Sequence, residues 1–131
     1  NLLLNIAPGP DGRWPEGAYG LLKEMGEWMK TNSEAVYGTR AMAPYKDGKV
    51  CINRKGEKTW YVFYMADEGE AMPAQVTMKG LVIPTGAQVT VPGSGAKCTW
   101  KSGTDSFTIN VPASIRNNPP SDHVWVMKVE F

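Results

Sequence analysis

Thr59-Trp60-Tyr61-Val62-Phe63-Tyr64-Met65 is a run of seven residues without a charge or a turn former. Aromatic and β-branched side chains of this kind suit the pleated backbone. The run is short for a helix, so it reads as a strand over about 58–65. Its apolar residues fall on both faces. Such a strand is either central in its sheet or covered on the outside by another part of the chain. The same alternation recurs on both sides, giving further candidate strands at 49–53, 74–78, 87–91, 96–101, 105–111 and 123–130. Lys55-Gly56, Pro84-Thr85-Gly86, Pro92-Gly93-Ser94-Gly95 and Asn117-Asn118-Pro119-Pro120 separate them with turn-forming residues. Phe107, Ile109 and Val111 share one face of their strand. Trp125, Met127, Val129 and Phe131 share one face of the last, with Lys128 and Glu130 opposite. Seven short strands at this spacing indicate an antiparallel sandwich or barrel. The expectation for residues 41–131 is a β-sandwich with Phe107, Ile109, Val111, Trp125, Met127 and Val129 in its core, in a chain that is mainly β.

The first forty residues follow another pattern. Asn1-Leu2-Leu3-Leu4-Asn5-Ile6 alternates like a strand and runs into a Pro/Gly loop. Pro15 stands where a first-turn proline is tolerated, because its missing N–H would have no intrahelical partner. Leu21, Leu22, Met25, Trp28 and Met29 then recur at helical spacing as one wide apolar stripe. Glu27 is placed to pair with Lys30 or Lys23 along the surface. Thr31-Asn32-Ser33 ends the helix, and Ser33 is a candidate cap for a short turn through Tyr37. One strand and one helix cannot make a core, and an unpartnered Leu-Leu-Leu strand is an exposed edge. Residues 1–40 therefore read as a β-loop-α unit from the end of a larger parallel α/β fold. The leucine triplet is expected to find cover, inside this sequence or beyond it. Alternation puts Asn5 with Leu3 on one face; in an eight-stranded barrel that face is the interior, and Asn5 sits at the carboxyl end where such barrels keep active sites.

A length of 131 residues bounds the chain to about one domain's worth of core, and net charge is +1. No basic block interleaved with aromatics appears, which argues against nucleic acid or an anionic membrane as partner. No stretch approaches a membrane span. The N-terminus lacks the pattern of a secretory signal, although one upstream would be compatible with a chain that starts at Asn1.

Within these bounds, chemistry-bearing residues are sparse. His123 is the lone histidine and reads as a strand-end residue, so a zinc site or a His-based triad would have to be built mostly from elsewhere. Asp67, Glu68 and Glu70 cluster in a turn; a weak calcium site is conceivable, and a solvated loop is the plainer reading. Cys51 and Cys98 are the two cysteines, but Val50 and Ile52 look inward and leave Cys51 outward, which argues against a bridge to Cys98. Gly93-Ser94-Gly95 precedes no helix and is no phosphate loop. Trp60, Trp100 and Trp125 alternate with apolar residues within strands, so core packing is favoured over a sugar-stacking face.

Asn1-Leu2-Leu3-Leu4-Asn5-Ile6, Pro8 and Pro10-Asp11-Gly12, followed by Gly26-Glu27-Trp28-Met29-Lys30, Asn32 and Glu34-Ala35-Val36-Tyr37-Gly38-Thr39-Arg40, resemble two motifs of the α-L-fucosidases of glycoside hydrolase family 29. Ala7 and Ser33 stand where that family commonly has glycine. The resemblance implies the last strand and helix of a (β/α)8 catalytic barrel followed by a C-terminal β-sandwich. It implies an exo-acting retaining hydrolase that releases α-L-fucose from fucosylated glycans without a cofactor or metal. Retention takes two carboxyl groups about 5 Å apart. The family's catalytic carboxylates lie on earlier barrel strands and loops, so no catalytic residue is carried onto this chain. A missing N-terminal barrel becomes its expected partner. A periplasmic, secreted or lysosomal location is compatible with the family. Asn5 and Trp14 are the expected substrate-binding residues, beside a loop that would border the fucose pocket. Equally open are an inward amide that is purely structural and a tryptophan that staples the helix entrance.

Overall fold

The computed structural model describes residues 3–131. The chain forms two compact units, Asn1–Thr31 and Asn32–Phe131.

In the first unit, α1 spans Glu16–Asn32. Pro15 immediately precedes it, and its carbonyl accepts the Ala18 amide at 2.9 Å. Of the apolar stripe, Leu22, Trp28 and Met29 are half-buried, whereas Leu21 and Met25 are exposed. Glu27 and Lys30 make the expected pair, with Nζ 2.8 Å from Oε1. The expected strand over residues 1–6 is not seen. Asn1 and Leu2 lie outside the described residues, and Leu3 to Ile6 have no regular secondary structure. A strand exists only through the ladder hydrogen bonds of a neighbour, and the described residues supply none here. Nor do they cover Leu3 and Leu4, which are 85% and 52% exposed.

The second unit is one antiparallel sheet of eight strands in the order β1-β2-β3-β8-β5-β6-β7-β4. These are β1 Arg40–Asp47, β2 Val50–Lys55, β3 Thr59–Met65, β4 Gln75–Lys79, β5 Gln88–Val91, β6 Ala96–Ser102, β7 Ser106–Asn110 and β8 Val124–Glu130. Seven correspond to the expected strands within two residues. β6 pairs with β5 on one side and β7 on the other, so it joins the two layers of the sandwich into a continuous sheet. The run opened above is β3, set between β2 and β8. It is also covered outside. Its Tyr61 is buried together with Ala35, which belongs to a 3₁₀ turn, Ser33–Ala35, whose backbone packs on this sheet. Asn53 Nδ2 on β2 donates to the Ala35 carbonyl at 2.8 Å and to Thr39 Oγ1 at 3.1 Å. Ser33 does not cap the turn with its hydroxyl; its carbonyl accepts the amides of Val36 and Tyr37 instead.

The strand that the alternation missed is β1. Four of its residues, Met42 to Tyr45, lie opposite Ile52 alone, because Ala41 pairs with Asn53 and Lys46 with Cys51. Tyr45 takes a left-handed φ of 69° in this bulge. β1 and β4 are the two edges, and they nearly meet. The Lys79 amide donates to Asp47 Oδ2 at 2.9 Å, and Pro44 lies against Gly80.

Between the layers sit Phe107, Ile109, Met127 and Val129, each 0% exposed, with Trp125 at 1% and Val111 at 4%. All were expected there. Removing Phe107 or Trp125 from such packing costs about 3–5 kcal/mol. Trp125 Nε1 donates to the Ser121 carbonyl at 2.6 Å, and Trp100 Nε1 to that of Ala87 at 3.0 Å. The connections also contribute to the core, through Met72, Ile83 and Ile115. Ile115 stands on a four-residue helix, α2 Ala113–Arg116. Both cysteines are free thiols, and Cys98 is buried.

Candidate functional site

The site is built from the loop that precedes α1. Gly9 and Arg13 close a turn, with the Gly9 amide donating to the Arg13 carbonyl at 2.7 Å and Gly12 N to Gly9 O at 2.9 Å. Gly12 adopts a φ of 76°, which a side chain rarely tolerates. Asp11 Oδ1 accepts the Arg13 amide at 3.1 Å and fixes the turn further. This reversal carries Trp14 back beside Asn5. The two residues, nine apart in sequence, line one open concavity of about 570 Å³ together with Leu4, Ile6, Ala7 and Leu22.

Both readings of Trp14 have a counterpart in this geometry. Its ring lines the concavity, and it also meets the Tyr19 ring on α1 at 5.4 Å between centroids. Asn5 is the one side chain of the lining that both donates and accepts hydrogen bonds. An aromatic face, aliphatic walls and a single amide suit a small molecule with one apolar side and a few hydroxyls. None of the six lining residues carries a carboxyl group, so the concavity has no acid or base of its own. Leu22 was not foreseen as a lining residue, nor were Leu4 and Ile6, which alternation places on the face opposite Asn5. Leu22 sits on the apolar stripe of α1, and nothing in the stripe distinguishes packing from pocket.

The other candidates have structural partners. Lys49 lies between two of the three clustered acids, with Nζ 2.5 Å from Asp67 Oδ2 and 2.6 Å from Glu70 Oε2. The Tyr64 hydroxyl donates to Glu70 Oε1 at 2.7 Å, and the Asp67 amide to Oε2 at 2.8 Å. Lys49, then the Asp67 amide and Tyr64, hold the Glu70 carboxyl down to about 2. The Lys49 ammonium thus occupies the place between Asp67 and Glu70 that a bound cation would take. Among the described residues, no three His, Cys, Asp or Glu side chains converge as a metal site. His123 directly precedes β8, and its carbonyl accepts the Ala66 amide at 3.0 Å. Trp125 is buried and Trp60 nearly so, which removes both from any sugar-stacking face.

The loop and helix that make the concavity are also the part of the chain with a recognised pattern. Residues 1–34 match the model of the family described as Alpha-L-fucosidase. The likeness is to the α-L-fucosidases. An α-L-fucosidase of Branchiostoma floridae is 27% identical over 134 residues, an alignment covering 99% of this chain and 29% of that protein. One of Dictyostelium discoideum is 25% identical over 141 residues, covering 95% of this chain and 28% of the relative. The chain therefore spans less than a third of the length of these α-L-fucosidases. Among solved structures, the Thermotoga maritima α-fucosidase in complex with a mechanism-based inhibitor matches with a TM-score of 0.81 at 21% identity. That match covers 100% of this chain and 30% of that one. At such identity the structural likeness speaks for the fold alone.

Proposed function

We propose that this chain is the C-terminal part of an α-L-fucosidase, a retaining glycoside hydrolase that releases α-L-fucose from fucosylated glycans. The observation that carries this reading is the concavity of Asn5 and Trp14, formed by the stretch that matches the family. In this reading residues 1–40 supply the last βα unit of a (β/α)8-like catalytic domain. Residues 41–131 form the C-terminal β-sandwich. The exposed Leu3, Leu4, Leu21 and Met25 support a first unit that is completed by further barrel strands and helices. A buried or half-buried position would be ordinary for side chains of this size.

In such a site the division of labour follows from the lining. The two carboxyl groups, nucleophile and acid/base, come from the barrel outside this chain. Trp14 offers its face to the apolar side of the sugar. The Asn5 amide holds a hydroxyl or orients one of the carboxylates. The sandwich buttresses the barrel and has no part in the chemistry. The test is Asn5→Ala in the full-length enzyme, assayed on an aryl α-L-fucoside alongside a measurement of folded protein. The expected result is a loss in kcat/KM of at least about tenfold, the cost of an unmet hydrogen bond in a site, without a matching loss of folded enzyme. Unchanged kinetics would remove Asn5 from the site.

A further inference from the structure

β5, β6, β7 and β4 are consecutive neighbours in the sheet. Their segments QVTV, AKCTWKS, SFTIN and QVTMK contain three lysines and no Asp or Glu. The 13 acidic residues of the chain all lie outside these four strands. The inward side chains, among them Val76, Met78, Phe107 and Ile109, belong to the core. The outward side chains form polar rows. Gln75 Nε2 donates to Asn110 Oδ1 at 2.9 Å, and Asn110 Nδ2 to Thr99 Oγ1 at 3.3 Å. In the next row the hydroxyls of Thr77 and Thr108 are 2.9 Å apart. These bonds order the amides and hydroxyls, yet each group keeps unused donors or acceptors. Lys79, Lys97 and Lys101 are exposed on the same face, and no carboxylate among the described residues pairs with them. Asp47 and Asp105 lie at its turn end; Asp47 already accepts the Lys79 amide.

We propose that the outer face of β6, β7 and β4 binds an extended anionic polysaccharide. The lysines meet its acidic groups, and the amide and hydroxyl rows meet its ring hydroxyls. Lys97 and Lys101 stand four residues apart on one strand, about 13 Å at the rise of a β-strand. One anionic group cannot reach both, whereas charges repeated along a chain can. The chemistry of the face disfavours other polymers. It presents neither arginine forks nor exposed aromatic rings for nucleic acid. It has no aromatic anchor for a protein interface. Trp100 on β6 packs against the core instead. The proposal is independent of the hydrolase reading.

The experiment is affinity electrophoresis of the 131-residue chain in native gels containing polygalacturonate, dextran sulfate, neutral dextran or duplex DNA. Polygalacturonate or dextran sulfate should retard the protein, with the difference between them separating carboxylate from sulfate recognition. Neutral dextran and DNA should not retard it. Raising the salt should weaken the interaction, since exposed charges are screened. K79Q/K97Q/K101Q should bind about tenfold more weakly, three exposed charge contacts being lost. Gln75→Ala should weaken binding by about threefold without changing the charge. Equal mobility in all gels overturns the proposal, as does retardation by neutral dextran or DNA equal to that by the acidic polysaccharides. Retardation that survives the triple substitution, with the variant's circular dichroism unchanged, overturns it too. Should the variant not fold, the comparison among the four gels decides.

Discussion

Glu70 shows how a single carboxyl can tie a connection to the sheet. Lys49 enters from the turn before β2, Tyr64 from β3, and the Asp67 amide from the loop itself. The Glu70 carboxyl falls from 4.5 to about 2, so the folded state holds its proton less tightly than the unfolded chain does. Its contribution to stability is therefore complete above about pH 4.5 and is lost as the pH falls toward 2. Glu70→Gln removes that linkage. Its melting temperature should lie below that of the parent at pH 7, and the two should converge as the pH is lowered from 5 to 2.5. Parallel melting curves over that range would show that the carboxyl carries no such load. The Cys98 thiol is perturbed for the opposite reason. Burial alone pushes it up to about 11, which keeps it protonated and inert at neutral pH.

At the scale of elements, the meeting of the two edge strands rests on small contacts. Gly80 has a φ of +78°, and a Cβ there would stand 3.3 Å from both Cβ and Cγ of Pro44. Gly80→Ala should cost about 1–2 kcal/mol from the left-handed backbone, and more from the displaced proline. Gly56 has a φ of +62° with open space around it, so Gly56→Ala isolates the backbone part. Urea midpoints should fall further for Gly80→Ala; equal shifts would mean that Pro44 does not seal the gap. The same region marks the limit of pattern reading. β7 and β8 were legible because one face of each is buried without interruption, and β3 because apolar side chains fill both of its faces. β1 was not, because its residues are mostly exposed or half-exposed and its bulge shifts the register within one strand. Helix α1 was legible from its stripe. Asn5 was singled out by alternation, but its meeting with Trp14 depends on the Gly9–Arg13 turn, whose closure is a property of backbone hydrogen bonds. The core residues Met72, Ile83 and Ile115 stand in connections, where no period announces them.

For the whole molecule, the concavity without a carboxyl group makes one clear expectation. The purified 131-residue chain should leave an aryl α-L-fucoside unhydrolysed. Co-expression with an α-L-fucosidase barrel that lacks this part should restore release of the aryl alcohol if the two pieces assemble. Turnover by the chain alone, abolished by substituting one of its own acidic residues, would place the chemistry inside it.

The position of β8 sets a timetable for making this protein. β8 is the last strand in chain order, yet it lies between β3 and β5 and carries a ladder on each side. A ribosome releases β3 some sixty residues before β8, several seconds earlier at about 5–20 residues per second. From the completion of β5 until β8 arrives, β3 and β5 both present open edges, and the apolar faces destined for Trp125, Met127 and Val129 have no cover. Stepwise closure from the first strand is therefore ruled out by the strand order. The sheet waits on residues 124–130, and a message cut short before them yields a chain with two sticky edges at its centre.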